Sequence, residues 1–126
     1  MVLLVDDEPS ITELVALRLV RIGYRVHSVI NGADALDWLQ HHRADLVVSD
    51  LHMPFVGGLE LCRAMVTDPS TADIPVLLLT ADPGEIDVEG LVNLRGVVYK
   101  PFSVTQIVTK SVDLLGPATP IAEPAA

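Results

Sequence analysis

The segment from Leu46 to Ser49 is a short, mostly apolar run that stops abruptly at an acidic residue, Asp50. The run is too short for a buried helix, and its valines favour a buried β-strand. Four further strands are predicted at residues 2–5, 24–30, 75–79 and 97–99. Short strands of this kind, when nearly all their residues are apolar, are typical of parallel sheets that are covered on both faces.

Segments with apolar residues at helical spacing follow each of the predicted strands. We expect helices over residues 10–22, 31–42, 58–66 and 103–115. A weaker helix is expected around residues 86–92, with Asn93 ending it in a left-handed conformation. Strands and helices that alternate in this way predict an α/β protein with a flavodoxin-like (βα)5 fold. That fold is a doubly wound, five-stranded parallel sheet in the order 2-1-3-4-5, with helices on both faces.

The length and composition are those of one globular domain. The chain has 126 residues, of which 50% are hydrophobic, enough to bury one sizeable core. We expect residues 1–116 to form the domain and the Pro- and Ala-rich residues 117–126 to form a tail or the start of a linker. A net charge of −9 argues against direct binding of nucleic acid. Because the sequence shows neither a membrane-spanning run nor a signal peptide, we expect a cytoplasmic protein that does not contact membranes.

The chain contains a single cysteine, Cys62, so no internal disulfide can form. Apolar residues surround Cys62 in the third predicted helix, which favours a buried and unreactive thiol. A catalytic thiol would need a nearby histidine or cation, and the sequence identifies none.

Polar residues follow four of the predicted strands. Asp6 and Asp7 come after the first strand, Asp50 after the third, Thr80 after the fourth and Lys100 after the fifth. The carboxyl ends of parallel strands share one edge of a sheet, and the first and third strands are neighbours in the flavodoxin-like order. We therefore expect the three aspartates to converge in one crevice.

Such a crevice suits a metal ion and phosphoryl chemistry. Three carboxylates held close together raise one another's pKa values unless a cation is bound, and oxygen ligands suit Mg²⁺, or Mn²⁺ in its place. A carboxylate can act as a nucleophile and form an aspartyl phosphate. The cation, Lys100 and the Thr80 hydroxyl would stabilise the phosphoryl oxygens, and the small Ala81 leaves an access path. Neither common glycine-rich phosphate loop occurs, so we expect no nucleotide site.

Five short motifs resemble those of a known family when they are taken together and in order. They are Asp6-Asp7-Glu8-Pro9, Asp50-Leu51-His52-Met53-Pro54, Gly57-Gly58, Thr80-Ala81 and Lys100-Pro101-Phe102. Each motif alone is weak, but their order and their places at strand ends are specific. Over about residues 1–116, the chain resembles the receiver domain of two-component response regulators.

The resemblance implies roles for the acidic residues. Asp50 corresponds to the phospho-acceptor, which is also a metal ligand. Asp7 corresponds to the direct Mg²⁺ ligand, and Asp6 corresponds to a residue that acts mainly through water. The backbone carbonyl of His52 corresponds to the third protein ligand of the metal.

The resemblance also implies roles around the phosphoryl group. Lys100 corresponds to the phosphate-pairing lysine, and its bond to Pro101 would be cis. Thr80 corresponds to the switch hydroxyl that moves to the phosphoryl group. His52 and Asp82 stand at positions that flank the phosphoryl group in the family, so we expect both side chains to tune the rate of hydrolysis.

The sequence departs from the family pattern between Thr80 and Lys100, where the segment is shorter than usual. Val97 stands where the family usually has a rotating aromatic residue, and Tyr99 lies on the same strand face at a different register. We expect Val97, Tyr99 and the last two predicted helices to form the output surface. Ordinary packing at the edge of the sheet is the alternative for these residues.

Three functions are weighed against these residues. The first is a signalling module that takes a phosphoryl group from a histidine kinase or phosphotransfer protein and passes the signal to an effector domain or protein. Such a module catalyses only its own phosphorylation and dephosphorylation, so we do not expect an enzyme in the usual sense. The second is a constitutive interaction module with a vestigial acceptor, which the complete acidic site disfavours. The third, an aspartyl-phosphate phosphatase or transferase, needs an acid where His52 stands. Homodimerisation is left open.

Overall fold

A parallel β-sheet with helices on both faces forms the frame of the protein. The computed structural model describes residues 1–8, 10–81, 87–99 and 101–116. The strands in these residues are β1 (Val2–Val5), β2 (Val26–Val29), β3 (Leu46–Asp50), β4 (Val76–Thr80) and β5 (Leu94–Tyr99). The helices are α1 (Ser10–Arg21), α2 (Gly32–Leu39), α3 (Gly58–Thr67) and α4 (Val104–Leu115). All strand pairs are parallel in the order β2-β1-β3-β4-β5, which confirms the predicted flavodoxin-like sheet.

The sheet separates two hydrophobic clusters. Leu3 and Val5 of β1 pack with α2 and α3 on one face, whereas Val2 and Leu4 pack with α1 and α4 on the other. This alternation follows from the pleat of a strand, in which successive side chains point to opposite faces. Because both faces are covered by helices, β1 and β4 are buried along their whole length.

The helices begin and end at residues that satisfy their terminal backbone groups. The Asn31 side chain accepts a hydrogen bond from the Asp34 N–H at 2.7 Å, and the Ser103 hydroxyl accepts one from the Gln106 N–H at 3.2 Å. Gly23, with a φ of 107°, follows the end of α1. None of the helices in the described part of the chain is long and apolar enough to cross a membrane.

The connection between β4 and β5 differs from the prediction. Residues 87–93 form turns, so the helix expected around residues 86–92 is wrong for that part of the connection. Gly90 has a φ of 78°, and the Asp87 side chain accepts a hydrogen bond from the Glu89 N–H at 3.1 Å. Both features favour a turn over a helix. Residues 82–86 and the predicted tail at 117–126 lie outside the described residues.

Asn93 does not adopt the expected left-handed conformation but is buried against α3. Its amide donates to the Cys62 carbonyl at 3.1 Å and accepts from the Cys62 thiol at 3.2 Å. Arg63 of α3 also donates to the Asp87 carbonyl at 2.6 Å, so α3 holds the connection at two points. Cys62 is buried as predicted, and burial raises the pKa of its thiol to about 11.

Strand β5 begins three residues before the predicted start, at Leu94. The register between β4 and β5 shifts between Val76 and Leu77, so the pairing of these two strands is irregular at this point. Gly96 pairs with Leu77 directly after the shift, and a Cβ at its position would lie 2.9 Å from a methyl group of Leu77, so a glycine fits there. The glycine and the charged Arg95 interrupt the apolar pattern, and this interruption hides the first half of the strand in the sequence.

We predict that Tyr24→Phe raises the free energy of unfolding by about 1 kcal/mol, because a buried hydroxyl without a partner costs about 1–3 kcal/mol. The Tyr24 side chain lies in the cluster with α1 and α4, and its hydroxyl finds no hydrogen-bond partner among the described residues. Urea unfolding would measure the change. Tyr99→Phe is the control, because the Tyr99 side chain is half exposed and its hydroxyl can be hydrated. A clear loss of stability in Tyr24→Phe would contradict the assignment of an unpaired hydroxyl.

Candidate functional site

Three aspartates meet at the carboxyl edge of the sheet. Asp6 and Asp7 follow β1, and Asp50 is the last residue of β3. Because β1 and β3 are paired, with Val5 opposite Ser49, Asp6 comes into register with Asp50. Carboxylate oxygens of the three aspartates lie within 4.8 Å of one another. The structure therefore brings together the acidic residues that the sequence places at strand ends.

The backbone at Asp50 is held from several sides. The buried Ser49 hydroxyl donates to the Asp50 carbonyl at 2.9 Å, and the Leu51 N–H donates to the Leu79 carbonyl at 2.8 Å. Gly58, the first residue of α3, approaches so closely that a Cβ at its position would overlap the Asp50 carbonyl oxygen. These contacts fix the direction in which the chain leaves β3, and with it the position of the Asp50 carboxylate.

The electrostatics of the cluster are unfavourable without a cation. Asp6 is partly buried, and its carboxylate accepts a hydrogen bond from the Glu8 N–H at 2.8 Å. Burial, together with the neighbouring charges of Asp50, Asp7 and Glu8, raises the pKa of Asp6 to about 6 despite that hydrogen bond. Asp7 is exposed. All the side-chain ligands of the cluster are carboxylate oxygens, which are the donors that hard divalent cations prefer, so the residues fit such an ion.

An open cavity lies beside the aspartates. Its lining residues come from the strand ends that were expected to form a site, from the loops after them and from the start of α1: Asp6, Glu8, Ser10, Ile11, Asp50, His52, Leu79, Ala81 and Phe102. Two further residues with predicted site roles, His52 and Ala81, line the cavity together with Asp6 and Asp50. Thr80 is fully buried at the end of β4 and does not line it.

The other predicted site residues fall into two groups. Lys100, with its bond to Pro101, and Asp82 lie outside the described residues. Val97 is partly buried and packs against the cluster with α2 and α3, whereas Tyr99 is 49% exposed and lies beside Thr80 in the register of β4 and β5. Of the two proposed output residues, Tyr99 is therefore the more accessible.

Five cavity residues had no predicted site role: Glu8, Ser10, Ile11, Leu79 and Phe102. The first and last belong to the motifs after β1 and β5, and Ser10 begins α1. A signal was present in the sequence, because residues that follow a strand directly at the ligand-binding edge of an α/β sheet are candidates to line its crevice.

A family model now identifies this arrangement. The model of the response regulator receiver domain matches residues 2–111. The chain belongs to the response regulator receiver domain family. Phosphorylation-dependent signalling in two-component systems is the general function of this family, and the resemblance found in the sequence is confirmed.

Individual relatives agree with this assignment. The receiver domain is 34% identical over 112 residues to the DNA-binding dual master transcriptional regulator RpaA of Synechocystis, covering 86% of this chain and 46% of RpaA. It resembles the signal receiver domain of a histidine kinase from Syntrophus aciditrophicus, with a TM-score of 0.79, 32% identity and coverage of 90% of this chain and 88% of that one. For the response regulator TrrA of Thermotoga maritima, solved with Mg²⁺ and BeF, the TM-score is 0.76, the identity is 31% and the coverage is 90% and 96%. The chain spans about half the length of the curated relatives that it matches.

The raised pKa of Asp6 predicts a pH dependence for the metal-free receiver domain. The folded protein binds the Asp6 proton more tightly than the unfolded chain does, because the pKa rises from the ordinary 3.8 to about 6. The free energy of unfolding should therefore fall as the pH rises from about 4 to about 6, and this loss should remain above pH 6. We expect about 1 kcal/mol, since Asp6 is only partly buried and solvent screens its charge. Urea unfolding in EDTA would measure the profile.

Asp6→Asn is the matched variant for this experiment, because it keeps the side-chain shape and removes the titrating group. We expect the variant to be more stable than the wild-type protein at pH 7, with the difference vanishing near pH 4. Mg²⁺ should stabilise the wild-type protein at pH 7 more than it stabilises the variant. If the free energies of unfolding of the two proteins change with pH in parallel, the pH dependence does not come from Asp6.

Proposed function

We propose that this receiver domain accepts a phosphoryl group on Asp50 from a phosphohistidine of a histidine kinase or phosphotransfer protein. The observation that carries the proposal is the cluster of Asp6, Asp7 and Asp50, whose oxygens lie within 4.8 Å of one another beside an open cavity. Asp50 is the candidate nucleophile because it ends the central strand β3 and its backbone is fixed by neighbouring contacts.

The proposed reaction moves one phosphoryl group. A carboxylate oxygen of Asp50 attacks the phosphorus and forms a P–O bond. The P–N bond to the donor imidazole breaks, and its electron pair stays on the nitrogen. If the other ring nitrogen carries a proton, the imidazole leaves neutral; if it does not, the released nitrogen takes up a proton from water. The product is an acyl phosphate on Asp50. When Mg²⁺, or Mn²⁺ in its place, is bound by Asp6, Asp7, Asp50 and the His52 carbonyl, it supplies positive charge that neutralises the phosphoryl oxygens.

Other residues of the chain would act on the phosphorylated form. The Thr80 hydroxyl and the Lys100 ammonium are the proposed partners of the phosphoryl oxygens, and the small side chain of Ala81 leaves an access path to Asp50. His52 lines the cavity next to Asp50, which supports a role for its side chain in setting the access of water and hence the phosphoryl lifetime. We propose the same role for Asp82, on the strength of the family resemblance alone.

The proposed output runs through β5. Tyr99 lies beside Thr80 in the strand register and is 49% exposed, which supports its role on the output surface together with the partly buried Val97. The relatives of about twice the length support an effector domain or protein as the recipient of the signal. We further propose that the domain works in the cytoplasm, does not itself bind nucleic acid or membranes, and acts on no substrate other than its own phosphoryl group.

A second candidate function is a constitutive protein-interaction module. The observation that favours it is the β4–β5 connection, where residues 87–93 form turns that are tied to α3 through Asn93 and Cys62. A connection held in this way would resist a rearrangement driven by phosphorylation. The complete acidic cluster favours the first candidate.

Intact-mass measurement with acetyl phosphate would test the proposal. We expect one phosphoryl adduct in Mg²⁺ and none in EDTA. Borohydride reduction of the adduct, followed by peptide mapping, should place it on Asp50. Several adducts, or an adduct on another residue, would contradict the assigned acceptor. If acetyl phosphate, phosphoramidate and a panel of histidine kinases all fail to modify the chain, the constitutive module is the better function.

A further inference from the structure

Phe55 is strained and exposed at the same time. It is the one residue other than glycine with a positive φ, 67°, in the parts of the chain that the structure describes. Its side chain is 92% exposed. An L-residue with a Cβ adopts this left-handed conformation only at a cost in free energy, and a bare phenyl ring in water adds a second cost. The exposed Phe55 side chain makes too little contact with the rest of the domain to offset either cost.

Contacts of the residues on both sides of Phe55 hold its backbone in the left-handed conformation. The Gly58 N–H donates to the Leu51 carbonyl at 2.9 Å and closes residues 51–58 into a loop. Met53 and Val56 both pack against the cluster with α2 and α3. These anchors leave Phe55 at the outer part of the loop, so its exposed position belongs to the folded structure.

Val56 packs very closely against Gly32, the first residue of α2. A Cβ on Gly32 would lie 2.6 Å from the Val56 side chain, so the first residue of α2 must be small for Val56 to seat there. With Val56 seated in this way, the chain has little freedom to turn Phe55 inward. The loop therefore presents an aromatic ring from a rigid base, which lowers the entropy lost on binding.

The same loop borders the acceptor site. It leaves β3 directly after Asp50, and His52 within it lines the cavity that contains Asp50. A protein that delivers a phosphoryl group to Asp50 must cover the rim of this cavity. Much of the remaining rim is acidic, with Asp6, Asp7 and Glu8 after β1. An aromatic side chain therefore offers a donor protein a contact that does not depend on opposite charge.

We propose that Phe55 anchors the phosphohistidine-bearing donor protein, by inserting into an apolar surface next to the phosphohistidine while the phosphoryl group reaches Asp50. The proposal rests on the proposed function and adds the residue that holds the donor. The transfer itself is unchanged: the P–N bond of the donor breaks as the P–O bond to Asp50 forms. Aromatic residues, phenylalanine among them, are enriched in the buried cores of protein–protein interfaces.

Phosphotransfer kinetics with two kinds of donor would test the anchor. The probes are acetyl phosphate and the autophosphorylated histidine kinase that modifies the wild-type chain fastest in a panel. For Phe55→Asn we expect kcat/KM with the kinase to fall at least about tenfold, mainly through KM. The rate with acetyl phosphate should stay unchanged. Asparagine tolerates the left-handed conformation, so the variant should fold at least as well as the wild-type protein.

Two control variants sharpen the experiment. Phe55→Tyr keeps the ring and should keep the kinase rate. Val92→Asn removes another apolar side chain, which is 72% exposed. Val92 precedes the amino end of β5, whereas Phe55 follows the carboxyl end of β3, so we expect Val92→Asn to change neither rate.

Four outcomes would overturn the proposal. Equal kinase rates for Phe55→Asn and the wild-type protein would remove the anchor and leave Asp50 as the acceptor. A parallel loss with acetyl phosphate would show that the loop acts on the chemistry instead. A wild-type dimer that Phe55→Asn dissociates, measured by sedimentation, would make a second copy the occupant. Failure of every kinase in the panel, with acetyl phosphate active, would show that a phosphohistidine protein is the wrong occupant.

Discussion

Replacing Asp50 with asparagine is expected to abolish the phosphoryl adduct, with a loss of at least about 10³-fold in the rate of phosphorylation by acetyl phosphate. The amide oxygen of asparagine has almost the same shape as the carboxylate oxygen but is not a competent nucleophile. The backbone contacts that position residue 50, from the Ser49 hydroxyl and from Gly58, do not involve the substituted atoms. The variant should therefore keep its fold and lose only the acceptor. Intact mass over time would measure the loss.

Although Asp50→Asn should abolish phosphorylation, it should raise the free energy of unfolding. Asp50 is one of three carboxylates within 4.8 Å, so removing its charge relieves repulsion. We expect the metal-free variant to be about 0.5–1 kcal/mol more stable at pH 7, with weaker stabilisation by Mg²⁺. Asp37→Asn, at an exposed position on α2, is the control for loss of one negative charge elsewhere. An adduct of undiminished yield in Asp50→Asn would place the acceptor on another residue.

Gly58→Ala is expected to lower the free energy of unfolding by about 3 kcal/mol, at the upper end of the usual cost of overpacking a tight site. The new methyl group would overlap the Asp50 carbonyl oxygen and lie 2.9 Å from a methyl group of Leu78. The backbone on at least one side must therefore move. Because the part that moves includes Asp50, we also expect slower phosphorylation. Urea unfolding and the acetyl phosphate rate would measure the two effects.

Gly90→Ala is the control for Gly58→Ala, because it also replaces a glycine but should not create the steric clash that is expected at Gly58. Apart from Gly90 and its two chain neighbours, no atom of the described residues lies within 4 Å of the position that a Cβ on Gly90 would take, so the added methyl group meets no obstacle among them. Only the left-handed backbone, with a φ of 78°, opposes the substitution, at a cost of about 1–2 kcal/mol. We expect no change in the phosphorylation rate. Equal effects of the two substitutions on stability and on rate would show that the contact between Gly58 and Asp50 is unimportant.

The parts of the fold that could be predicted are those fixed by local patterns. Continuous apolar runs identify β1 and β4 because a strand covered on both faces has no polar side. The handedness and neighbour rules for parallel strands then limit the strand order. With the order known, the acids after β1 and β3 must share one edge, so the cluster of Asp6, Asp7 and Asp50 follows from topology.

The features that could not be predicted depend on contacts between distant segments. Asparagine is common in turns, and only the position of Asn93 beside Cys62 of α3 makes its side chain a buried hydrogen-bonding group. In the first half of β5, the missing side chain of Gly96 leaves room for the Leu77 side chain of β4, and no pattern within the strand reveals this contact. The left-handed conformation of Phe55 is imposed by the packing of its loop neighbours, against the local preference of a phenylalanine.

The strand order β2-β1-β3-β4-β5 has a consequence for how the chain is made. As the ribosome releases the protein from its N-terminus, β2 can pair with one edge of β1, and β3 can pair with the other edge. Each later strand then adds to the outside of the strand released before it, first β4 on β3 and then β5 on β4. No strand has to be inserted between two that are already paired, so the sheet can grow at the pace of translation.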